Sequence, residues 1–450
     1  MTNPTQLYDS LFNSQVMSEI FSDRATLQGM LDFEAALALA EACTSVIPQK
    51  HADAILEKCR AELFDVHALS KAAALAGNVA IPLVKALTAA VAKDDENAAR
   101  HVHWGATSQD VIDTGLVLQL RQALDFFEVR LLRLAQACAD HAHQHRHVMM
   151  VGRTWLQHAT PITFGLKPAA WLSAIERQRA RLAACRQRVL VLQFGGASGT
   201  LASLNGRGLD VANELAKQLK LDLPDMPWHT QRDNFAEVAS LLSLLTGTLG
   251  KIATDISLMM QTEIGEAFEP TAEARGGSST MPHKRNPVSC AVVLAAAARV
   301  PGLASTMNAA MAQEHERGVG GWQAEWQTLP QICQLAAGAL EHTLHMVEGL
   351  EIDPVRMRAN LEMTKGLVLA EAASMALAVY IGREKAHLMI EQASQRAITE
   401  KRHLRDVLAS DAQVAVHMDN ASLNKLFEPQ NYLGMAEQFI DRVLAARKLN

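Results

Sequence analysis

The stretch Gly276-Gly277-Ser278-Ser279-Thr280-Met281-Pro282-His283-Lys284-Arg285-Asn286-Pro287 gathers hydroxyls, cations and an amide on one short piece of chain. Paired glycines and two prolines prevent it from being helical throughout. Such a backbone can turn its N–H groups toward an anion. The chemistry this combination suits is the holding of an anion by cations, hydroxyls and backbone donors. A serine is a poor base unless its alkoxide is stabilised, which a glycine-rich loop beside Lys284 could do. On composition alone, a basic surface turn is the plainer alternative.

Other residues invite similar weighing. Gln313-Glu314-His315-Glu316-Arg317 is either a solvated helix face or a contact to substrate, with Arg317 suited to a carboxylate. His141, His143, His145 and His147 would form two i,i+4 pairs on a helix, a spacing that binds Zn²⁺ or Ni²⁺. No Cys or carboxylate completes either pair, so a solvated face is favoured and no metal site is expected. Gly195-Gly196-Ala197-Ser198-Gly199 has no strand–turn–helix context, and Gly250-Lys251 lacks the rest of a Walker motif.

Long helices must position these groups. No proline lies between Pro82 and Pro161, Pro168 and Pro224, Pro227 and Pro270, or Pro354 and Pro429. Such stretches, rich in Ala, Leu, Gln and Glu, permit long helices. Val238, Leu242, Leu245, Leu249, Ile252, Ile256 and Met259 alternate spacings of four and three. This heptad seam predicts a helix of ~30 residues, about 45 Å long. A second seam runs Leu116, Leu120, Ala123, Phe127, Leu131, Leu134, Cys138, with Asp113-Thr114 as its expected N-cap. Strand alternation with hairpin turns is scarce. The expected fold is all-α, in three helical parts: 1–111, a central long-helix bundle over 112–353 that carries the 276–287 loop, and 354–450.

At 450 residues the chain is too long for one compact core. A net charge of −6 argues against a nucleic-acid partner. The N-terminal residues do not resemble a secretory signal, and no uninterrupted apolar run approaches the ~18 residues of a membrane span. Six dispersed cysteines without a Cys-x-x-Cys pair read as reduced core thiols. A cytoplasmic protein without a membrane partner is expected.

The 276–287 loop matches, at every specified position, the Gly-Ser-Ser-x-Met-Pro-x-Lys-x-Asn-Pro signature of the fumarase/aspartase superfamily. Gly105-Ala106-Thr107-Ser108-Gln109-Asp110 resembles that family's substrate-carboxylate loop, and Gly152-Arg153-Thr154-Trp155-Leu156-Gln157-His158-Ala159-Thr160-Pro161 resembles its second block. The resemblance implies a homotetramer in which three subunits contribute to each site. It also implies a small polycarboxylate substrate and no cofactor. It assigns Ser278 to proton transfer, with Lys284 and Asn286 on a substrate carboxylate. By the same resemblance, Thr107, Ser108, Arg153, Thr154, Trp155, Gln157, His158, Gln231, Ser279, Met281, His283 and Arg317 face the substrate. A core role for His158, bonded to backbone, remains an alternative.

Two departures narrow the chemistry. Most members read Arg-Thr-His where this chain reads Arg153-Thr154-Trp155, and carry Glu where this chain has Ala291. That His and Glu activate water or assist a leaving group, and here both are missing. Either the chain is a silent structural relative or its reaction does not need the pair. A nucleophilic carboxylate within the substrate fits the second case. With a pKa of about 4 it is already ionised, and intramolecular attack needs orientation alone. The pattern, with Leu192–Gly199 and Trp228-His229-Thr230-Gln231-Arg232-Asp233, resembles the cycloisomerase branch that lactonises a carboxylated muconate. An elimination lyase acting on adenylosuccinate is the competing reading. It commonly carries His-Asp-Val where this chain has Phe64-Asp65-Val66.

Overall fold

The computed structural model describes residues 7–271, 276–277, 281 and 283–448. Helix α1 (Asp23–Cys43) is followed, after shorter helices, by α2 (Ser108–Gln144), the hairpin β1 (Met149–Thr154) and β2 (Gln157–Thr163), α3 (Leu166–Val189) and, after a further short helix, α4 (Asp233–Met259). Strand β3 (Ala267–Phe268) precedes α5 (Val288–Ala309) and α6 (Gly321–Glu348). Strand β4 (Glu351–Ile352) leads into α7 (Pro354–Glu362), α8 (Ala370–Ile381) and α9 (Arg383–Thr399). The fold is all-α: the named strands form only two two-stranded antiparallel ribbons, β1–β2 and β3–β4.

Both seams are real. Every residue of the first, from Val238 to Met259, is buried on α4, and the second lies buried along α2. α2 nevertheless opens at Ser108, so Asp113-Thr114 lies inside it rather than capping it. The cap is Thr107-Ser108-Gln109-Asp110, where the Asp110 carboxylate reaches back to accept the Thr107 N–H at 3.0 Å. This is one arm of a capping box. Prolines fail as punctuation in two places, because Pro301 sits inside α5 and Pro330 inside α6. α4 and α5 are, by length and composition alone, apolar enough to cross a membrane. Counting uninterrupted runs missed them because polar residues such as Thr246 punctuate a high average. A helix packed on several faces reads apolar nearly all round.

The chain divides into two compact units, each assembled from three stretches. The first comprises Met1–Leu131, Gln178–Leu249 and Val292–Glu341, and the second Leu132–Arg177, Gly250–Ala291 and His342–Asn450. Every passage from one to the other falls inside a long helix, α2 through α6. In the first unit, α1 and α2 touch backbone to backbone. A Cβ added at Gly29 would meet the Gly115 carbonyl oxygen at 2.9 Å, so glycine at this crossing is a packing requirement. In the second unit, α8, α9 and the segments after them pack a core around Leu369, Leu377, Ile390, Leu404 and Val407. Five of the six cysteines are buried and all six are free thiols.

Candidate active site

In the first unit, four sequence segments converge on two buried carboxylates. Asp110 is fully buried. One of its oxygens accepts from His229 Nε2 at 2.7 Å, the Gly195 N–H at 3.0 Å and Gln193 Nε2 at 3.2 Å. The other accepts from the N–H groups of Thr107 and Gly196. A buried charge is tolerable only when so completely bonded. The loop 195–196 must therefore stay bare. A Cβ on Gly195 would strike His229 Cε1 at 2.8 Å, and Gly196 has φ +68° with the Gly105 carbonyl 2.9 Å from any added Cβ.

One turn along α2, Asp113 receives both Nη groups of Arg232 at 2.6 and 3.1 Å, plus Trp322 Nε1 at 3.0 Å. Arg232, itself 1% exposed, also donates Nε and Nη2 to Glu325. Its guanidinium lies over the rings of Trp228 and Phe235. Two carboxylates around one guanidinium compensate burial that would otherwise be costly. Gln109 links the pieces, donating to Asp113 and the His229 carbonyl and accepting from Arg317 Nη1 at 2.9 Å. Arg317 Nη2 donates to the Ala197 carbonyl. The structure thus gathers the segments of Thr107, Ser108, Gln231 and Arg317 into one unit. Thr107 and Ser108 are half-buried at the start of α2, and Gln231 is exposed on its turn.

In the second unit, β1 and β2 pair with Thr154 opposite Gln157, leaving Trp155 and Leu156 as the two turn residues. Both adopt the left-handed conformation, at φ 53° and 62°. Such a turn normally takes Asn-Gly, and a bulky residue there costs ~1–2 kcal/mol. Trp155 is nonetheless 97% exposed. The hairpin stem is clamped: Arg153 makes two bonds, at 2.7 and 2.8 Å, to the fully buried Glu266. Asn360 braces the same carboxylate from α7. The Arg153 guanidinium is thereby engaged within the fold. His158, on the stem, has its pKa lowered by burial and by the Arg153 charge, despite Glu266, so it is held neutral.

The signature loop is also part of this unit. Gly277 bridges to Arg285, and the Asn286 N–H donates to the Gly276 carbonyl at 2.8 Å. Gly276 takes φ +70°, and a Cβ there would lie 2.9 Å from the Asn286 oxygen. Arg285 anchors the base through Glu351 and the Glu269 carbonyl, stacked on Phe268. Glu269 in turn caps α5 by accepting from the Ser289 and Cys290 N–H groups. Met281, His283 and Lys284 are exposed, and Asn286 is half-buried. Ser278 and Ser279 lie outside the described residues. Three of the four histidines of α2 and its exit make contacts. His141 bonds the Val347 carbonyl and stacks on His145, while His147 pairs with Glu437.

Sequence reasoning named Asp110 and Arg232 within motifs and Asp113 as a cap but missed their buried pairing, and it overlooked Glu325, Glu266, and Glu34 on α1. The available signal was a charge inside an apolar run, as at Glu34 and Glu41, seven apart in an Ala/Leu-rich helix.

Residues 12–302 match the family described as Lyase, and residues 366–443 match that described as Adenylosuccinate lyase C-terminus. The chain is 57% identical to the 3-carboxy-cis,cis-muconate cycloisomerase of Pseudomonas aeruginosa, over 98% of this chain and 96% of that protein. It superposes on the crystal structure of the 3-carboxy-cis,cis-muconate lactonizing enzyme from Pseudomonas putida with a TM-score of 0.94 at 54% identity, covering 98% of each chain. Against the β-carboxy-cis,cis-muconate cycloisomerase of Acinetobacter calcoaceticus sp. ADP1 the TM-score is 0.93 at 47% identity, over 98% of this chain and 100% of the other. With a family match across most of its length and relatives alike from end to end, the chain belongs to the lyase family of the fumarase/aspartase superfamily.

Proposed function

We propose that the protein is a 3-carboxy-cis,cis-muconate cycloisomerase, an intramolecular lyase of the protocatechuate branch of aromatic degradation. The observation that carries this reading is the paired loss of His and Glu at Trp155 and Ala291, with Trp155 presented at the tip of a clamped, strained hairpin. In the reaction, a carboxylate oxygen of the substrate bonds to an alkene carbon of the same molecule. A proton is added at the carbon α to a second carboxylate, giving 4-carboxymuconolactone; the two compounds are isomers as free acids, and the proton that the ionised substrate takes up is restored to the protein from water. Ser278 delivers that proton. Lys284 and Asn286 hold the carboxylate on which charge accumulates, and Thr107 and Ser108 take another through a helix N-terminus suited to anions. Arg317, Gln231, Met281, His283 and Ser279 complete the enclosure. Trp155 and its neighbours Thr154, Gln157 and His158 wall off water.

The working form is a homotetramer in the cytoplasm, with each site shared between subunits. Supporting self-assembly, the most apolar 18-residue window of α5 is only 39% buried within one chain, against 61% for α4. Exposed apolar surface of that extent calls for a partner. Incubating the pure protein with 3-carboxy-cis,cis-muconate should abolish the diene absorbance with equimolar lactone formation. Adenylosuccinate cleavage without that activity would instead select the elimination lyase.

A further inference from the structure

We infer that Glu34, on α1, is a positioning residue for the substrate loop: it latches His103 and thereby sets where Thr107 and Ser108 stand. Glu34 is 1% exposed on a helix otherwise built largely of alanine and leucine. One carboxylate oxygen lies 2.6 Å from His103 Nδ1, and the other has no hydrogen-bond partner among the described residues. A buried carboxylate with a single neutraliser depends strongly on that contact. His103 has φ +61°, a conformation unfavourable for a histidine, and Gly105 follows at φ +76°. The chain thus reverses at 103–105 and immediately enters the Thr107 cap of α2. The Gly29–Gly115 crossing holds α1 close enough to α2 for the latch to reach.

Two acids face His103, Glu34 from α1 and Asp110 from α2. Burial pulls the imidazole toward neutrality, but the Glu34 charge and hydrogen bond, with the Asp110 charge, together outweigh it, and the net pKa stands above the ordinary 6.5. Behind Glu34, Glu41 stays protonated until about pH 9 and adds no competing charge below it. The latch is therefore ionic while His103 keeps its proton and weakens as pH rises and that proton is lost.

This inference rests on the reading that Thr107 and Ser108 hold a substrate carboxylate, so the test has two readouts. Hydrogen exchange of peptides spanning 100–110 reports the latch without substrate. The pH dependence of KM for 3-carboxy-cis,cis-muconate reports its consequence. Glu34→Gln should speed exchange in that segment ~10-fold, raise KM ~10-fold below the KM break with kcat within ~3-fold, and move that break to lower pH. Glu34→Asp should restore part of the effect. His103→Asn, which tolerates the left-handed conformation and does not titrate, should make KM independent of pH across the histidine range. If Glu34→Gln does not fold, the Asp and Asn variants decide. Wild-type exchange in Glu34→Gln, or KM–pH curves of Glu34→Gln or His103→Asn superimposable on wild type, would overturn the latch. Absence of turnover by the wild type would refute the cycloisomerase reading, while the exchange result would still decide the latch.

Discussion

Single residues carry two kinds of burden here, reacting with substrate and surviving burial. On the proposed reading, Ser278 belongs to the first kind. Ser278→Ala should lower lactonisation at least ~100-fold with the assembly intact, and near-normal turnover in the pure variant would remove Ser278 from the proton path. Glu41 belongs to the second. It is fully buried, neither carboxylate oxygen has a hydrogen-bond partner among the described residues, and burial together with the Glu34 charge raises its pKa to about 9. Between its ordinary 4.5 and that value, the folded chain keeps a proton that the unfolded chain releases. Stability must then fall as pH rises through this window, by up to about 1.4 kcal/mol per unit. Glu41→Met should raise the melting temperature, with a margin over wild type that widens from pH 5.5 to 8.5. Parallel melting curves across that range would show that Glu41 is ionised in the fold. The signature loop, the Thr107–Asp110 loop and the Arg153 block were legible in sequence because each is a contiguous run. The partners Arg232–Asp113, Arg153–Glu266 and Glu34–His103 were not, since each spans 69 to 119 residues of chain.

At the scale of elements, the long helices could be read from their heptad spacing because one buried face repeats every 3.5 residues. The β1–β2 hairpin was missed for a physical reason. Its turn residues, Trp155 and Leu156, are types that no turn rule selects, so neither composition nor alternation announces it. A turn held against its preference points to use of the side chain displayed. Replacing Trp155-Leu156 by Asn-Gly should stabilise the hairpin by ~1–2 kcal/mol yet reduce turnover severely, through loss of the aromatic wall. A variant both more stable and fully active would show that the tip has no part in the reaction. Restoring the family pair, Trp155→His with Ala291→Glu, should not improve lactonisation and should impair it if imidazole and carboxylate are imperfectly paired.

For the whole molecule, the proposed sharing of sites between subunits predicts complementation. Ser278→Ala chains refolded together with Arg153→Leu chains should regain part of the activity that each lacks alone, because mixed assemblies draw intact blocks from different copies. No recovery in demonstrated hybrids would mean that each site is built from one chain. The proposed tetramer and its shared site rest on resemblance alone, whereas the division into two units has no sequence signal at all. No linker marks it, because all five passages run through helix interiors. Each unit is a braid of three separated stretches. No start or stop codon can therefore release one unit whole, and no single cut by a protease can separate them. A gene of this design cannot trade its halves as cassettes. Its chemistry changes instead where side chains meet the site, and on the reading proposed above Trp155 and Ala291, standing where relatives carry a His–Glu pair, are a change of that kind.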